Sequence, residues 1–229
     1  MGSLGLMNAR RVGASMLAVL LTSASSACAN TITGTATWRG ATLEKVLLTA
    51  ADFPPGVQFD RLIEQPGQPD GAGAPPAMLS RPEGCSDGLT RVIAASAERG
   101  PGSAAKYSVA YDGARNVLTV LTWNLDLGKL AATAERCAQY QTFFDASSEA
   151  IPMTTTRMTT PRPGALVYEQ TMDLSGAKSS VFFSFENVDD MAVFGIAFPT
   201  PNPTIAVKAA LPQTFLDIVD KQAGRLHTG

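Results

Sequence analysis

The sequence predicts a one-domain α+β protein in which a single antiparallel sheet is packed by a central helix and a C-terminal helix. Three observations lead to this prediction. Short segments that alternate apolar and polar residues lie between turn signals, which is typical of antiparallel strands and here predicts two meanders. Two longer segments repeat apolar residues at helical spacing. The 229 residues are 45% hydrophobic, so the chain can bury a sizeable core.

The chain begins with the three parts of a secretory signal. A basic pair at residues 10–11 precedes the apolar run Val12–Leu21, and the small, polar stretch TSASSACAN follows. A positive segment, a short apolar segment and a small-residue cleavage zone together indicate export. The run is shorter than the roughly 20 apolar residues that span a bilayer. We therefore predict a signal peptide over residues 1–29, with Met1 or Met7 as its start.

Two cleavage sites compete at the end of this leader. The sequence SSAC at Ser25–Cys28 resembles a lipobox, in which small residues precede a cysteine that is acylated and becomes the mature N-terminus. Ser25 stands where lipoboxes usually carry an aliphatic residue. The alternative, an A-x-A site at Ala27–Ala29, would release a secreted protein that starts at Asn30. We predict acylation of Cys28, which would anchor the protein to the outer face of the cytoplasmic membrane.

The remaining cysteines form an even pair. The chain has three cysteines, and an odd number in an oxidising compartment needs an explanation. Acylation or removal of Cys28 leaves Cys85 and Cys137, which we predict to form a disulfide, with two free buried thiols as the alternative. There is no CxxC redox sequence, and these cysteines and His227 lack the spacing of metal ligands. We expect no metal and no cofactor.

The first half of the exported part alternates helical and extended patterns. A Thr- and Gly-rich tether over Asn30–Gly40 leads into a single domain over residues 41–226. In order, the predicted segments are a helix over Ala41–Asp52 that includes a capping box of Thr49 and Asp52, a strand over Val57–Ile63, a Pro- and Gly-rich loop over Glu64–Pro76, a short helix from a capping box of Ser80 and Glu83 through Cys85, and strands over Arg91–Glu98, Lys106–Tyr111 and Val117–Trp123.

The second half holds the strongest helical pattern. Asp126 is a good N-cap, and the apolar residues that follow recur at i, i+3, i+4 and i+7, which places Cys137 on the buried face. The later segments are strands over Gln141–Phe144, Met153–Thr160, Leu166–Met172, Ser179–Glu186 with Phe182 or Phe183 inside, and Met191–Phe198, a hairpin at Asp189-Asp190, an amphipathic helix over Thr204–Gly224 that Pro212 kinks or restarts, and a tail over residues 227–229.

Several short motifs carry a resemblance to a known family. Cys28 is followed by VLLTAADFPPG at Val46–Gly56, by RPEGC at Arg81–Cys85, by a meander, and by ERCAQYQTF at Glu135–Phe143. This order resembles mycobacterial and related actinobacterial cell-envelope lipoproteins whose folded part resembles the extracellular sensor domain of the receptor kinase PknH. The resemblance covers about residues 43–225 and implies an α+β fold with the two cysteines bridged. That sensor domain has two disulfides, whereas this chain has one cysteine pair after the leader.

The sequence offers little for catalysis. The only histidine, His227, is placed in a polar tail, so a Ser-His-Asp or Cys-His arrangement has no base. The carboxylates at Asp189 and Asp190, and at Glu83 and Asp87, are expected to be solvated turn residues. The GxSxG and HExxH motifs are absent. The net charge of −2, without a basic cluster, argues against a nucleic-acid partner.

These observations predict a non-enzymatic, sensor-like binding module for an envelope lipid, glycan or protein. Its pocket is expected between the sheet and the helix that carries Cys137, or beneath the loop Glu64–Pro76. A sheet whose face is filled by its own helices would instead favour recognition of a protein. The alternatives are a plain secreted protein and an envelope hydrolase that uses carboxylates.

Overall fold

A nine-stranded antiparallel sheet organises the part of the chain that the computed structural model describes, which is residues 39–62, 78–96 and 102–228. The leader with Cys28, most of the tether and the loop Glu64–Pro76 lie outside these residues. The strands are β1 Gln58–Leu62, β2 Leu79–Arg81, β3 Ala104–Tyr111, β4 Gly113–Leu121, β5 Gln139–Phe143, β6 Ile151–Arg157, β7 Leu166–Leu174, β8 Ala177–Val188 and β9 Met191–Thr200.

The strand order is β1-β3-β4-β9-β8-β7-β6-β5-β2. From β5 to β9 each strand pairs with the next one in the chain, so five strands form one long meander. The β3–β4 hairpin joins this meander through pairing of β4 with β9. The short β1 and β2 strands therefore lie at opposite edges. The predicted single antiparallel sheet is confirmed, as is the hairpin at Asp189-Asp190.

Helices lie on both sides of this sheet. They are α1 Arg39–Val46, α2 Gly88–Ser96, α3 Leu127–Arg136 and α4 Gln213–Thr228, with a 3-10 turn over Ala50–Asp52 after α1. The predicted cap of the central helix α3 is confirmed, because the Asp126 carboxylate accepts a hydrogen bond from the Lys129 N–H at 2.8 Å. The predicted pairing of Thr49 with Asp52 is also present, since the Thr49 N–H donates to the Asp52 carboxylate at 2.8 Å.

The two faces of the sheet have separate cores. The first face carries α1 and α4, which pack on β3, β8 and β9, while the second face carries α2 and α3. Neighbouring residues of a strand point to opposite faces, so Phe182 belongs to the first core and Phe183 to the second. The sequence predicted one or the other of these rings inside, whereas both are buried.

Three predicted segments differ from the structure. The strand predicted over Arg91–Glu98 is wrong, because its described part, residues 91–96, belongs to α2. Leu89, Val92 and Ile93 recur at helical spacing and bury one face of that helix. The helix predicted from Ser80 through Cys85 is also wrong. Ser80 lies in β2, and its hydroxyl accepts a hydrogen bond from the Cys85 N–H at 2.9 Å.

The C-terminal helix is shorter at its start and longer at its end than predicted. It begins at Gln213, directly after Pro212, since a proline fits the start of a helix and not its interior. It runs to Thr228, so His227 lies in its last turn and not in a tail. Among the described residues, no helix combines the length and the apolar character that crossing a membrane requires.

Candidate functional site

The predicted disulfide is present between Cys85 and Cys137. Their Cα atoms are 5.5 Å apart across 52 residues of sequence, and both side chains are buried. Tyr140 packs against the bridge, and burial raises the pKa of its phenol to about 12. The bond joins the loop after β2 to the C-terminal end of α3, so it holds one edge of the sheet in place. Cys28, the predicted lipidation site, lies outside the described residues.

Side chains of α3 and of the sheet pack against each other where the sequence predicted a pocket. Leu130 and Ala134 of α3 are buried in one cluster with Tyr168, Phe183 and Phe185 of the sheet. This packing is the close interdigitation of a protein interior. It gives no support to a pocket beside this helix, which stays a prediction. The other predicted location, beneath Glu64–Pro76, lies outside the described residues.

Buried side chains also pack together on the first face, beneath α4. Gln222 is fully buried, and its side-chain oxygen accepts hydrogen bonds from the Leu48 N–H at 3.1 Å and the Tyr107 hydroxyl at 3.0 Å. Its amide donates to the Val46 carbonyl at 2.8 Å. The side chain thus fastens the end of α1 to α4. Burial raises the pKa of Tyr107 strongly, which keeps this donor protonated.

The helix α4 also approaches the sheet closely at a glycine. A Cβ on Gly195 would lie 2.9 Å from the Phe215 ring and 3.0 Å from Val219. Real side-chain carbons do not come so near, so the absence of a side chain at Gly195 sets the distance between α4 and β9. We call this region under α1 and α4 the covered part of the first face.

A polar cluster, which the sequence did not predict, lies at the end of α4. The Arg162 guanidinium donates to both oxygens of the buried Glu186 at 2.7 and 2.8 Å and to Asp220 at 3.3 Å. It also reaches the His227 Nε2 at 3.0 Å, and His227 Nδ1 is 4.0 Å from Asp189. Partial burial acts to lower the pKa of Arg162, but the bonds and charges of Glu186 and Asp220 raise it.

This cluster links α4 to β8 through Arg162, and it is not a candidate anion site. The charge of the Arg162 guanidinium is balanced by the carboxylates of Glu186 and Asp220, so it attracts an anionic ligand less than an unpaired arginine would. Asp220 and His227 are seven residues apart on α4, so they share one side of the helix. The spacing of seven residues is the sequence feature that could have predicted that Asp220 and His227 lie on the same side of α4.

The other candidate carboxylates of the sequence are dispersed. Asp87 pairs with Arg91 at 2.7 Å on α2, and Glu83 lies in the exposed loop before it. The carboxyl groups with a displaced pKa are Asp145, where hydrogen bonds from Ser147 lower it, and Asp52. Within the described residues, no group of three His, Cys, Asp or Glu side chains is placed to hold a metal ion.

The first face is exposed beyond the covered part. The strands β7, β6, β5 and β2 continue the sheet past α4, and their first-face side chains are solvent-accessible to various degrees. We call this surface the open face. Its members are small, hydroxylated or amide side chains with few charges: Arg81, Gln139, Gln141, Pro152, Thr154, Thr156, Glu169, Thr171 and Ser180, with Leu79 and Phe143 at the β2 rim.

The rim of the open face at β2 is apolar. Leu79 is 52% exposed and lies opposite Phe143 in the β2–β5 register, and the adjacent Phe144 is 74% exposed. The Arg81 guanidinium carbon lies 5.2 Å from the centre of the Phe143 ring. A depression of about 440 Å³ runs along the strand and is lined by Met78, Leu79, Ser80, Arg81, Glu83, Gly84, Ser86, Arg91, Phe143 and Ala146.

A second depression, of about 380 Å³, lies near the end of β6 and the start of β7. It is lined by Arg157, Met158, Thr159, Thr160, Pro163 and Ala165. It is open to solvent and holds a single charged side chain, so it lacks the convergent polar groups of a small-molecule site. The β2 rim, which combines exposed apolar side chains with a cation and a depression, is therefore the stronger candidate.

Comparison with known proteins gives one structural neighbour. No protein-family model matches the sequence, and no curated protein matches it. The X-ray structure of an uncharacterised protein from Mycobacterium smegmatis, the Rv0999 ortholog, aligns over 82% of this chain and 95% of its own with 12% sequence identity and a TM-score of 0.45. A likeness of this degree carries no argument about function.

Proposed function

We propose that this chain is an exported cell-envelope protein, tethered through acylated Cys28, that binds a macromolecular partner by contact with its surface. The observation that carries the proposal is the unequal cover of the first face, where α1 and α4 leave the open face and its apolar rim accessible. Exposed apolar side chains beside a rigid polar surface are typical of recognition sites. Contact through the surface is favoured over a ligand in the core, because both cores are built from packed side chains of the protein itself.

The location follows from the leader. The positive segment, the apolar run and the lipobox-like Ser25–Cys28 support export and acylation. The resemblance of the short motifs to actinobacterial envelope lipoproteins with a PknH-like sensor domain agrees with that location. The disulfide between Cys85 and Cys137 suits an oxidising compartment.

The proposal is tested by native mass spectrometry of the protein purified from its own host. We expect a mature chain that starts at Cys28, carries the added mass of acyl chains and lacks two hydrogens because of the disulfide. We expect no small molecule in stoichiometric amount. A mature chain that starts at Asn30 would overturn the tether, and a stoichiometric lipid would overturn recognition by surface contact.

A further inference from the structure

The two edges of the sheet differ in how they are protected. At the β1 edge, Arg61 pairs with Glu44 and also donates to the Lys106 carbonyl at 3.3 Å. Charged side chains therefore protect this strand edge. At the β2 edge Leu79 is exposed, and the exposed Arg81 makes no ion pair among the described residues. Proteins usually shield a free edge with charges because its backbone groups can pair with another chain. Among the described residues, β2 pairs only with β5, and its outer side has no strand.

The surroundings of β2 fit one strand-shaped occupant. The depression is lined by four consecutive residues, Met78–Arg81, and also by Phe143. An extended chain beside β2 would place alternate side chains on the first face, next to Leu79. Those positions favour apolar side chains, because Leu79 is already half exposed to water.

The charge at this edge favours an acidic residue in the occupant. Within the described part of the chain, Arg81 makes a contact with the Phe143 ring but no ion pair with a carboxylate. Arg91, which also lines the depression, is held by Asp87. Arg81 is therefore the cation that a carboxylate of an added strand could approach, and a guanidinium can bind a carboxylate through two parallel hydrogen bonds.

The edge is held rigid before any partner arrives. The Ser86 hydroxyl donates to the Met78 carbonyl at 2.6 Å, and the Cys85 N–H donates to the Ser80 hydroxyl at 2.9 Å. The bridge from Cys85 to Cys137 then fixes this loop to α3. A strand edge that is already ordered loses less conformational entropy on binding, which favours association.

We propose that β2 accepts an extended segment of a partner protein as a tenth strand, with an apolar side chain against Leu79 and a carboxylate against Arg81. The inference rests on the proposed function and names its partner class as polypeptide. Backbone hydrogen bonds to β2 supply the affinity, and the alternate side chains supply the specificity.

The test uses the mature protein from its host and an acetylated, amidated heptapeptide with glutamate at positions 2 and 6, valine at position 4 and threonine elsewhere, so that the valine and both glutamates share one face of the added strand. Fluorescence anisotropy of the labelled peptide reports affinity, and hydrogen exchange followed by mass spectrometry reports which backbone amides become protected. We expect slower exchange within Leu79–Arg81 and unchanged exchange in β1. Arg81→Glu should weaken binding about tenfold. Arg115→Glu, on an exposed position of the central strand β4, is the matched control and should leave affinity unchanged.

Two peptide variants separate strand pairing from simple charge attraction. A version methylated at alternate backbone nitrogens should lose binding, because it cannot complete the strand ladder. A version with lysine in place of glutamate should bind more weakly than the parent. Equal binding of the methylated peptide, equal binding to the Arg81→Glu variant, protection elsewhere than β2, or no saturable binding would each overturn strand addition. These results concern β2 alone, so they are distinct from a failure of the tether or of surface recognition.

Discussion

On the first face of one sheet, the covered part beneath α1 and α4 and the open face over β7, β6, β5 and β2 have different surfaces. The covered part is mostly apolar, and the amide of its buried Gln222 both accepts and donates hydrogen bonds. The open face carries mainly hydroxyl and amide side chains and ends in an apolar rim at Leu79. One half of this face therefore stabilises the fold, and the other half is accessible to a partner. Substitutions in the two halves should differ in their effect on stability.

Removing the disulfide should have the largest effect, because the open end of the sheet has no helix on its first face. Replacing Cys85 and Cys137 by serine releases a loop of 52 residues and should lower the free energy of unfolding by about 4 kcal/mol in the chain-entropy account. Urea denaturation measures the loss. Reductant should destabilise the natural protein by a similar amount and leave the double variant unchanged; equal stability of the two proteins would contradict this role of the bridge.

In the covered part, Gln222→Leu should lower the free energy of unfolding by about 3 kcal/mol. The substitution strands the Leu48 N–H, the Tyr107 hydroxyl and the Val46 carbonyl without a partner in a dry core. The matched substitution Gln141→Leu on the open face should change stability by less than about 0.5 kcal/mol. Thermal and urea unfolding compare the two variants. Similar losses at both positions would erase the distinction between the two parts.

The close approach of α4 to β9 gives a smaller effect. Gly195→Ala adds a carbon within 3 Å of Phe215, so we expect a loss of about 2 kcal/mol from overpacking. Gly224→Ala lies within α4 with open space around its Cβ position and should stabilise the protein by up to about 1 kcal/mol through helix propensity. Opposite signs of the two effects in urea denaturation are the expected result. A tolerated Gly195→Ala would show that α4 is less tightly seated.

The smallest effect is the contribution of Asp52 to acid stability. Burial acts to raise the pKa of Asp52, but hydrogen bonds from Thr49 and the charge of Arg225 outweigh it and lower the pKa. A carboxyl whose pKa is lower in the folded state stabilises the protein above its unfolded pKa of about 4. That contribution is lost as the pH falls through the folded value.

The corresponding measurement is urea denaturation between about pH 5 and pH 2, the range that contains the unfolded pKa of an aspartate. Asp52→Asn should lower stability at neutral pH and flatten the decline of stability in acid. Asp190→Asn, at the β8–β9 turn, is the control and should leave the slope unchanged. An unaltered acid slope in Asp52→Asn would show that the link between Asp52 and α4 adds nothing to stability.

Much of the fold could be predicted because local signals agreed with it. The Asp126 cap, the helical spacing that follows it and the alternation in β7, β8 and β9 each depend on a few neighbouring residues. Local signals failed where tertiary contacts decide. The segment at Leu89–Ile93 is a short apolar run that suits a strand or a helix, and its packing on the second face makes it helical.

The candidate site was harder to predict for a different reason. β2 has three residues and exists because it pairs with β5, so no periodic pattern of its own marks it. Whether Thr154 or Gln141 is exposed depends on where α4 crosses the sheet, which Gly195 determines from another strand. Likewise, the contact of Arg162 with His227 joins residues 65 positions apart. Strand order and helix placement, rather than local composition, define the open face.

The most direct test of the division into a covered and an open surface is photo-crosslinking in the native host. A benzophenone amino acid replaces Phe144 at the apolar rim or, as the control, the exposed Asp217 on the outer side of α4. We expect one adduct of defined mass from position 144, none from position 217, and loss of the adduct when Arg81→Glu is added. Equal adducts from both positions, or an adduct from position 217 alone, would contradict the assignment of the open face as the recognition surface.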